Sequence, residues 1–316
     1  MSGDAAAVCG APAAGWGGWR NVEGMSTAED ASSASFVMQR TDTGAERTHR
    51  PRLVAIDVDH TLLRSDRTLA QETVAAAQVA RAAGIQLTLA SSRPPGGMWQ
   101  YLQALGIVAP SAFVGFQGAL VASFDADGRP SVIATTPIEL AVAGQVAEAA
   151  RSLGVATSWY TPTGWFVDEV TDEIAHEGSI VGMAPQLVAD FDGLEAPVKI
   201  LFIARHPEEI EALRRVMPAS VTAETSNAAY LEITARGVDK ATGVEVIAGG
   251  LDVPFSEVVA IGDGRNDLGL FRRVGTSVAP ANADPSVLAE ADYIAPSNDA
   301  DGVAATLRWL AGLPVV

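Results

Sequence analysis

Two short apolar runs that end in acids constrain this chain most. LVAIDVD at 53–59 and VVAIGD at 258–263 are too short for helices and show no polar alternation. Such runs fit strands covered on both faces of a parallel sheet. After the first, TLAQETVAAAQVARAAG (68–84) is an alanine-rich amphipathic helix with Gly84 as its stop. IQLTLA (85–90) is a second strand, Pro94 suits the first turn of a following helix, and 112–116 is a third strand. A helix over 239–250 precedes the second run. Beyond it, helices over 265–273, 284–290 and 299–311 alternate with strands over 276–279 and 292–294. This order predicts βαβ units and an α/β fold with a doubly wound, Rossmann-like parallel sheet.

The middle of the chain is patterned differently. VASFDADGRPSVIATT (121–136) is a hairpin turning at Asp127-Gly128. A helix over 137–153, short aromatic strands near 157–160 and 165–167, a strand at 198–204, a helix over 207–216 and strands near 220–224 and 230–233 follow. We expect an inserted α+β unit over 120–225 between two core segments, 51–119 and 226–316. Residues 1–50 contain no leucine or isoleucine. They cannot bury enough apolar surface to offset their ordering entropy, so a disordered N-terminal extension is expected there.

Composition removes several classes of function. The 316 residues carry 21 basic and 38 acidic side chains, a net charge of −17. Nucleic-acid and anionic-membrane partners are therefore not expected. The single cysteine, Cys9, allows no internal disulfide framework and no cysteine-rich zinc site, and the four histidines show no metal-ligand spacing. Residues 94–123 are free of charge, yet Gln100, Gln103, Pro110 and Gln117 interrupt them. A membrane-spanning helix needs ~20 predominantly apolar residues. The expectation is a cytoplasmic protein with no membrane partner and an oligomeric state that the sequence leaves open.

Three of the strands finish in polar groups: Asp57 and Asp59, Ser91 and Ser92, and Asp263. In an open parallel sheet the carboxyl ends share one edge, where ligands bind. Alone, an Asp-x-Asp pair describes many solvated loops. Lys240 adds a separate signal, because the chain has 19 arginines and only two lysines, Lys199 and Lys240. Asp239 is a natural N-cap, which puts Lys240 in a first helical turn where the helix dipole disfavours a cation. A nearby anion resolves that conflict, and a compact ammonium suits phosphate.

DVDHTL (57–62), SSRP (91–94), the lysine of GVDK (237–240) and GDGRND (262–267) stand in the order of the four motifs of the haloacid dehalogenase-like (HAD) hydrolase superfamily. The long insertion between the second and third motifs resembles the Cof-type, IIB branch with its C2B cap, as do FQGAL (116–120) and YLEIT (230–234). The resemblance covers about residues 51–316 and implies a Mg²⁺-dependent phosphatase of small phosphomonoesters, sugar phosphates foremost. It implies Asp57 as nucleophile, forming an aspartyl-phosphate, and Asp59 as general acid and base. Ser91, Ser92 and Lys240 would bind the phosphoryl group. Asp57 and Asp263, with the backbone carbonyl of Asp59, would hold the metal, supported by Asn266 and Asp267. Four carboxylates at 57, 59, 263 and 267 would repel one another without a cation, and Mg²⁺ prefers hard oxygen ligands.

The chain departs from the pattern at His60, where the family usually has glycine, at Ser92, at Gln117 and in APAN (279–282). In the insert, Trp159, Tyr160, Trp165 and Phe166, with Asp168, Glu169, His176 and Glu177 nearby, offer rings and acids for substrate recognition. Trp159, Trp165 and His176 are the candidates, weighed against packing of the insert's own core. The alternatives are a phosphotransferase or mutase of the same superfamily, or a non-catalytic phosphate-sensing protein on the same fold. A nicotinamide-dependent dehydrogenase would need a glycine-rich fingerprint after its first strand, and DVDHTLLRSD has none.

Overall fold

In the computed structural model, which describes residues 38–315, the chain lays down β1 (Gln39–Arg40), β2 (Leu53–Ile56), α1 (Gln71–Ala82) and β3 (Gln86–Leu89). After α2 (Trp99–Ala104) come β4 (Ala112–Gly115), β5 (Leu120–Phe124) and β6 (Pro130–Thr135). Next are α3 (Leu140–Ser152), β7 (Ser158–Tyr160), β8 (Trp165–Val167), α4 (Asp172–Val181), β9 (Gln186–Leu187) and β10 (Lys199–Ile203). They lead into α5 (Pro207–Val216), β11 (Val221–Asn227) and β12 (Tyr230–Ala235). The chain returns through α6 (Lys240–Gly250), β13 (Val258–Ile261), α7 (Leu268–Phe271), β14 (Thr276–Pro280), α8 (Pro285–Leu288), β15 (Tyr293–Ala295) and α9 (Gly302–Gly312).

The core sheet runs β1-β15-β14-β13-β2-β3, parallel throughout except for the antiparallel edge β1. Every residue of β2 is buried. Val54 and Ile56 pack among Ala76, Ala77 and Ala80 of α1 and Leu307 and Leu310 of α9, while Leu53 and Ala55 meet Ala241, Val244 and Ala248 of α6. Helices on both faces explain why the run shows no alternation. From β2 the chain moves to β3 on one side and later resumes at β13 on the other. Their carboxyl ends therefore flank a topological switch point.

A second sheet, β11-β12-β10-β7-β8-β9, stands apart from the first. One face (Trp159, Ile200, Phe202, Leu231, Ile233) packs on α3 and α5 through Val146, Ala147, Ile210 and Leu213. Strand alternation gives the other face to Tyr160, Lys199, Leu201, Tyr230 and Glu232. α4 lies over this side. Its Thr171 hydroxyl accepts from the Ile174 N–H (3.3 Å), and left-handed Gly182 ends it. Val181 at its end lies against the Pro95–Gly97 turn of the core, where a Cβ on Gly97 would touch it.

Two expectations need correction. Within the extension expected over 1–50, residues 38–50 are ordered; 1–37 lie outside the described residues. β1 pairs with β15, the Arg47 N–H donates to the Tyr293 hydroxyl (2.8 Å), and buried Arg47 reaches Thr276 Oγ1 (3.3 Å). Edge pairing and a buried guanidinium order a stretch that has little apolar surface of its own. The boundaries at 120 and 225 also move. β5 pairs with β4 and β6 with β5, and β4 bridges to Ala90 beside β3, so 120–135 extends the core side. β12 sits between β10 and β11, so the insert continues to Ala235. Among the described residues, no helix is long and apolar enough to cross a membrane.

Candidate active site

Asp57 directly follows β2, and its N–H donates to the Ile261 carbonyl of β13 (2.9 Å), so it sits at the switch point. Lys240 opens α6. The Asp239 carboxylate accepts from the Thr242 N–H (2.9 Å), a cap that fixes Lys240 in the first turn and turns it inward. The buried Lys240 ammonium donates to Asp57 Oδ1 and to Asp267 Oδ1 (2.7 Å for the latter). These two carboxylates offset the unfavourable helix dipole. The FQGAL loop leans on the same helix start at Gly118, φ +107°, where a Cβ would collide with the Asp239 carbonyl oxygen.

Asp263 follows β13 and accepts from the Thr61 hydroxyl (2.7 Å). Oxygens of Asp57, Asp263 and Asp267 lie within 4.8 Å of one another. Burial pushes the Asp57 carboxyl well up, Asp267 and Asp263 add to this, and Lys240 opposes it. Burial likewise raises Asp263. For Lys240, burial acts downward, but Asp267 and Asp57 outweigh it and hold the ammonium above its ordinary value. Three hard-oxygen carboxylates lie together, two of them on one ammonium, a donor set that suits a divalent cation such as Mg²⁺.

Asp59 does not join that group. Its carboxylate turns to Arg93, which donates from Nε to Oδ2 (2.8 Å) and from Nη2 to Oδ1 (2.6 Å). The Ser91 hydroxyl, one strand over from Asp57, accepts from the Arg93 N–H (3.2 Å). Asn266 Nδ2 donates to Gln117 Oε1 (3.0 Å), tying the fourth motif to the FQGAL loop. His60 is left-handed, φ +59°, and its carbonyl accepts from Asn282 Nδ2 (2.8 Å). The backbone conformation explains the usual glycine, since a side chain there costs roughly 1–2 kcal/mol. The same bond shows that APAN keeps the asparagine that anchors the first loop.

Residues 54–307 match the haloacid dehalogenase-like hydrolase family. The chain belongs to this family. The hydrolase is 29% identical over 246 residues to an HMP-PP phosphatase of Yersinia pseudotuberculosis, covering 76% of this chain and 87% of that one. It is 27% identical over 271 residues to the 5-amino-6-(5-phospho-D-ribitylamino)uracil phosphatase YitU of Bacillus subtilis, with 82% and 97% covered. In fold it resembles a sugar phosphatase of HAD subclass IIB, at TM-score 0.72 and 20% identity, covering 82% of this chain and 98% of that one. Family and relatives together make the chain a phosphoric monoester hydrolase.

Beside the cluster this hydrolase has a cavity of about 240 Å³, walled by Asp59, Ser92 and Arg93 of the core and by Glu177, Lys199, Tyr230 and Glu232 of the insert. Three of the expected recognition residues are not in this wall. Trp159 belongs to the opposite face of its sheet, stacked on Phe191 (4.9 Å), with its indole N–H donated to the Glu195 carbonyl (3.0 Å). Trp165 is wholly buried against Tyr160 (5.1 Å), which in turn meets Phe116 of the core (5.4 Å). His176 is exposed on α4, and its neighbour Glu177 faces the cavity instead. Ser92 lines the cavity, while its carbonyl accepts from Lys199 Nζ (2.9 Å).

Arg93, Thr61, Lys199, Tyr230 and Glu232 had no assigned place in the sequence reading. A signal existed for each of them: Thr61 lies inside DVDHTL, and Tyr230 and Glu232 lie inside YLEIT. Arg93 lies inside the SSRP motif, and Lys199 is the chain's other lysine; both lysines are buried at this site.

Proposed function

We propose that this hydrolase is a Mg²⁺-dependent phosphatase of small phosphomonoesters, sugar phosphates foremost, working through an aspartyl-phosphate. The reading rests on one arrangement: a buried Asp57–Lys240 pair at the switch point, beside two further carboxylates, with Asp59 two residues on in the cavity wall. Phosphoryl transfer needs an in-line nucleophile and neutralisation of the phosphoryl oxygens. Asp57 attacks phosphorus as the bond to the leaving oxygen breaks, and Asp59 gives that oxygen its proton. Asp59 then takes a proton from water, whose oxygen attacks the same phosphorus and frees Asp57 and inorganic phosphate. Lys240 and the Ser91 hydroxyl hold phosphoryl oxygens, Ser92 shapes the same loop, and Asn266 and Asp267 brace the fourth motif.

Asp57, Asp263 and the Asp59 carbonyl would hold Mg²⁺, with Asp267 alongside; bound there, the ion supplies charge neutralisation at the phosphoryl group. The inserted unit serves as the C2B-type cap, covering the site and excluding bulk water. A cytoplasmic setting accords with a single cysteine. The test is phosphate release from p-nitrophenyl phosphate with and without Mg²⁺, beside Asp57→Asn. We expect metal-dependent release that the substitution abolishes. Release that survives Asp57→Asn, or a phosphorylated product in place of free phosphate, overturns the reading.

A further inference from the structure

We propose that Glu177 and Tyr230 form a subsite that reads a hydroxyl of the leaving group, so that the enzyme favours phosphate esters of a single sugar or polyol. This rests on the phosphatase reading above and deepens it. The cavity wall opposite Asp59 is built from three elements of the insert: Tyr230 and Glu232 alternate along β12, Lys199 lies on β10, and Glu177 lies on α4. Glu177 is only 7% exposed, beside apolar Ile180 and Val181. The Tyr230 hydroxyl donates to its Oε2 at 2.5 Å, and no other hydrogen bond to its carboxylate occurs among the described residues. A carboxylate in such surroundings needs further donors. Oε1 can accept one from a ligand hydroxyl.

Three further charges in the wall are already paired. Arg93 pairs with Asp59 (2.6 Å), Lys199 with Glu232 (3.4 Å) and Arg64 with Asp301 (2.8 Å). Deep in the wall that leaves an acid, Glu177, with Arg67 exposed at the mouth. Burial, reinforced by Glu177, pushes the Tyr230 phenol up, so it remains a donor across the working pH range. Size narrows the class further. A cavity of about 240 Å³ is smaller than the roughly 300–1,000 Å³ of sites for drug-sized ligands. It suits one sugar or a short polyol.

The test is calorimetric titration of the Asp57→Asn protein in Mg²⁺ with glucose 6-phosphate, sorbitol 6-phosphate and inorganic phosphate. We expect each ester to bind about tenfold or more tightly than inorganic phosphate. Adding Tyr230→Phe or Glu177→Gln should cut the affinity ratio of glucose 6-phosphate to inorganic phosphate about tenfold, as for one lost hydrogen bond to a charged group. An unchanged ratio in both variants, or esters that bind no more tightly than inorganic phosphate, overturns the proposal. Binding is read without turnover, which separates the two failures. A wild-type enzyme that releases no phosphate while these ratios hold sinks the phosphatase reading alone. Release with unchanged ratios sinks the subsite alone.

Discussion

Arg93 holds the Asp59 carboxylate in one orientation. Both oxygens of Asp59 are engaged by one planar fork, and the guanidinium is itself 5% exposed and tied to the Gly97 carbonyl (3.3 Å). Burial acts to raise the Asp59 carboxyl, but the hydrogen bonds and charge of Arg93 outweigh it and hold the group below the usual carboxylate range. The sign of the consequence follows. A depressed folded-state value adds stability above the unfolded value, about 3.9 for aspartate, and that stability is lost as pH falls through the folded one. In metal-free protein, the stability gap between wild type and Asp59→Asn should thus be wider at pH 7 than at pH 3; urea unfolding at the two values checks it. Asp57, Asp59, Lys240 and Asp263 were legible as candidates because motif order and strand ends mark them. Arg93 and Lys199 were not, since their roles depend on which partner the fold supplies, 34 and 107 residues away respectively.

At the scale of elements, the apolar runs of the core were readable because their sequence matches their surroundings on both faces. Other elements were hidden for physical reasons. α4 is short and interrupted by Gly178, although its Thr171 cap and Gly182 stop were both present in the sequence. The aromatic strands β7 and β8 were visible, but not the fact that alternation sends Trp159 into the insert's own core and Trp165 into the joint with Phe116. β1 escaped notice because its order comes from the edge of β15, not from its own composition. A chain that starts at residue 51 loses that pairing together with the Arg47 bonds to Tyr293 and Thr276. At about 0.5–1.5 kcal/mol net for each hydrogen bond, such a chain should be a few kcal/mol less stable than one that starts at residue 38. Denaturant unfolding of the two would show it, and equal midpoints would refute it.

For the whole molecule, three of the 38 acidic side chains are gathered at one point. The Asp57, Asp263 and Asp267 carboxylates come together only in the folded state, with one ammonium among them. Mg²⁺ should therefore raise the thermal unfolding midpoint, with about 2.7 kcal/mol of stabilisation at a hundred times its dissociation constant. Asp263→Asn should remove most of that shift. A full shift in the variant would place the ion elsewhere.

The switch point also has a consequence in time. Asp57 and Lys240 stand 183 residues apart along the chain, and β13, the partner of β2, is made later still. A ribosome adds about 5–20 residues per second, so roughly ten to forty seconds separate the emergence of the two ends of that salt bridge. Through this interval β2 waits for its central neighbour, and Asp57 for its cation. The growing polypeptide stays chemically silent until its final third has been made.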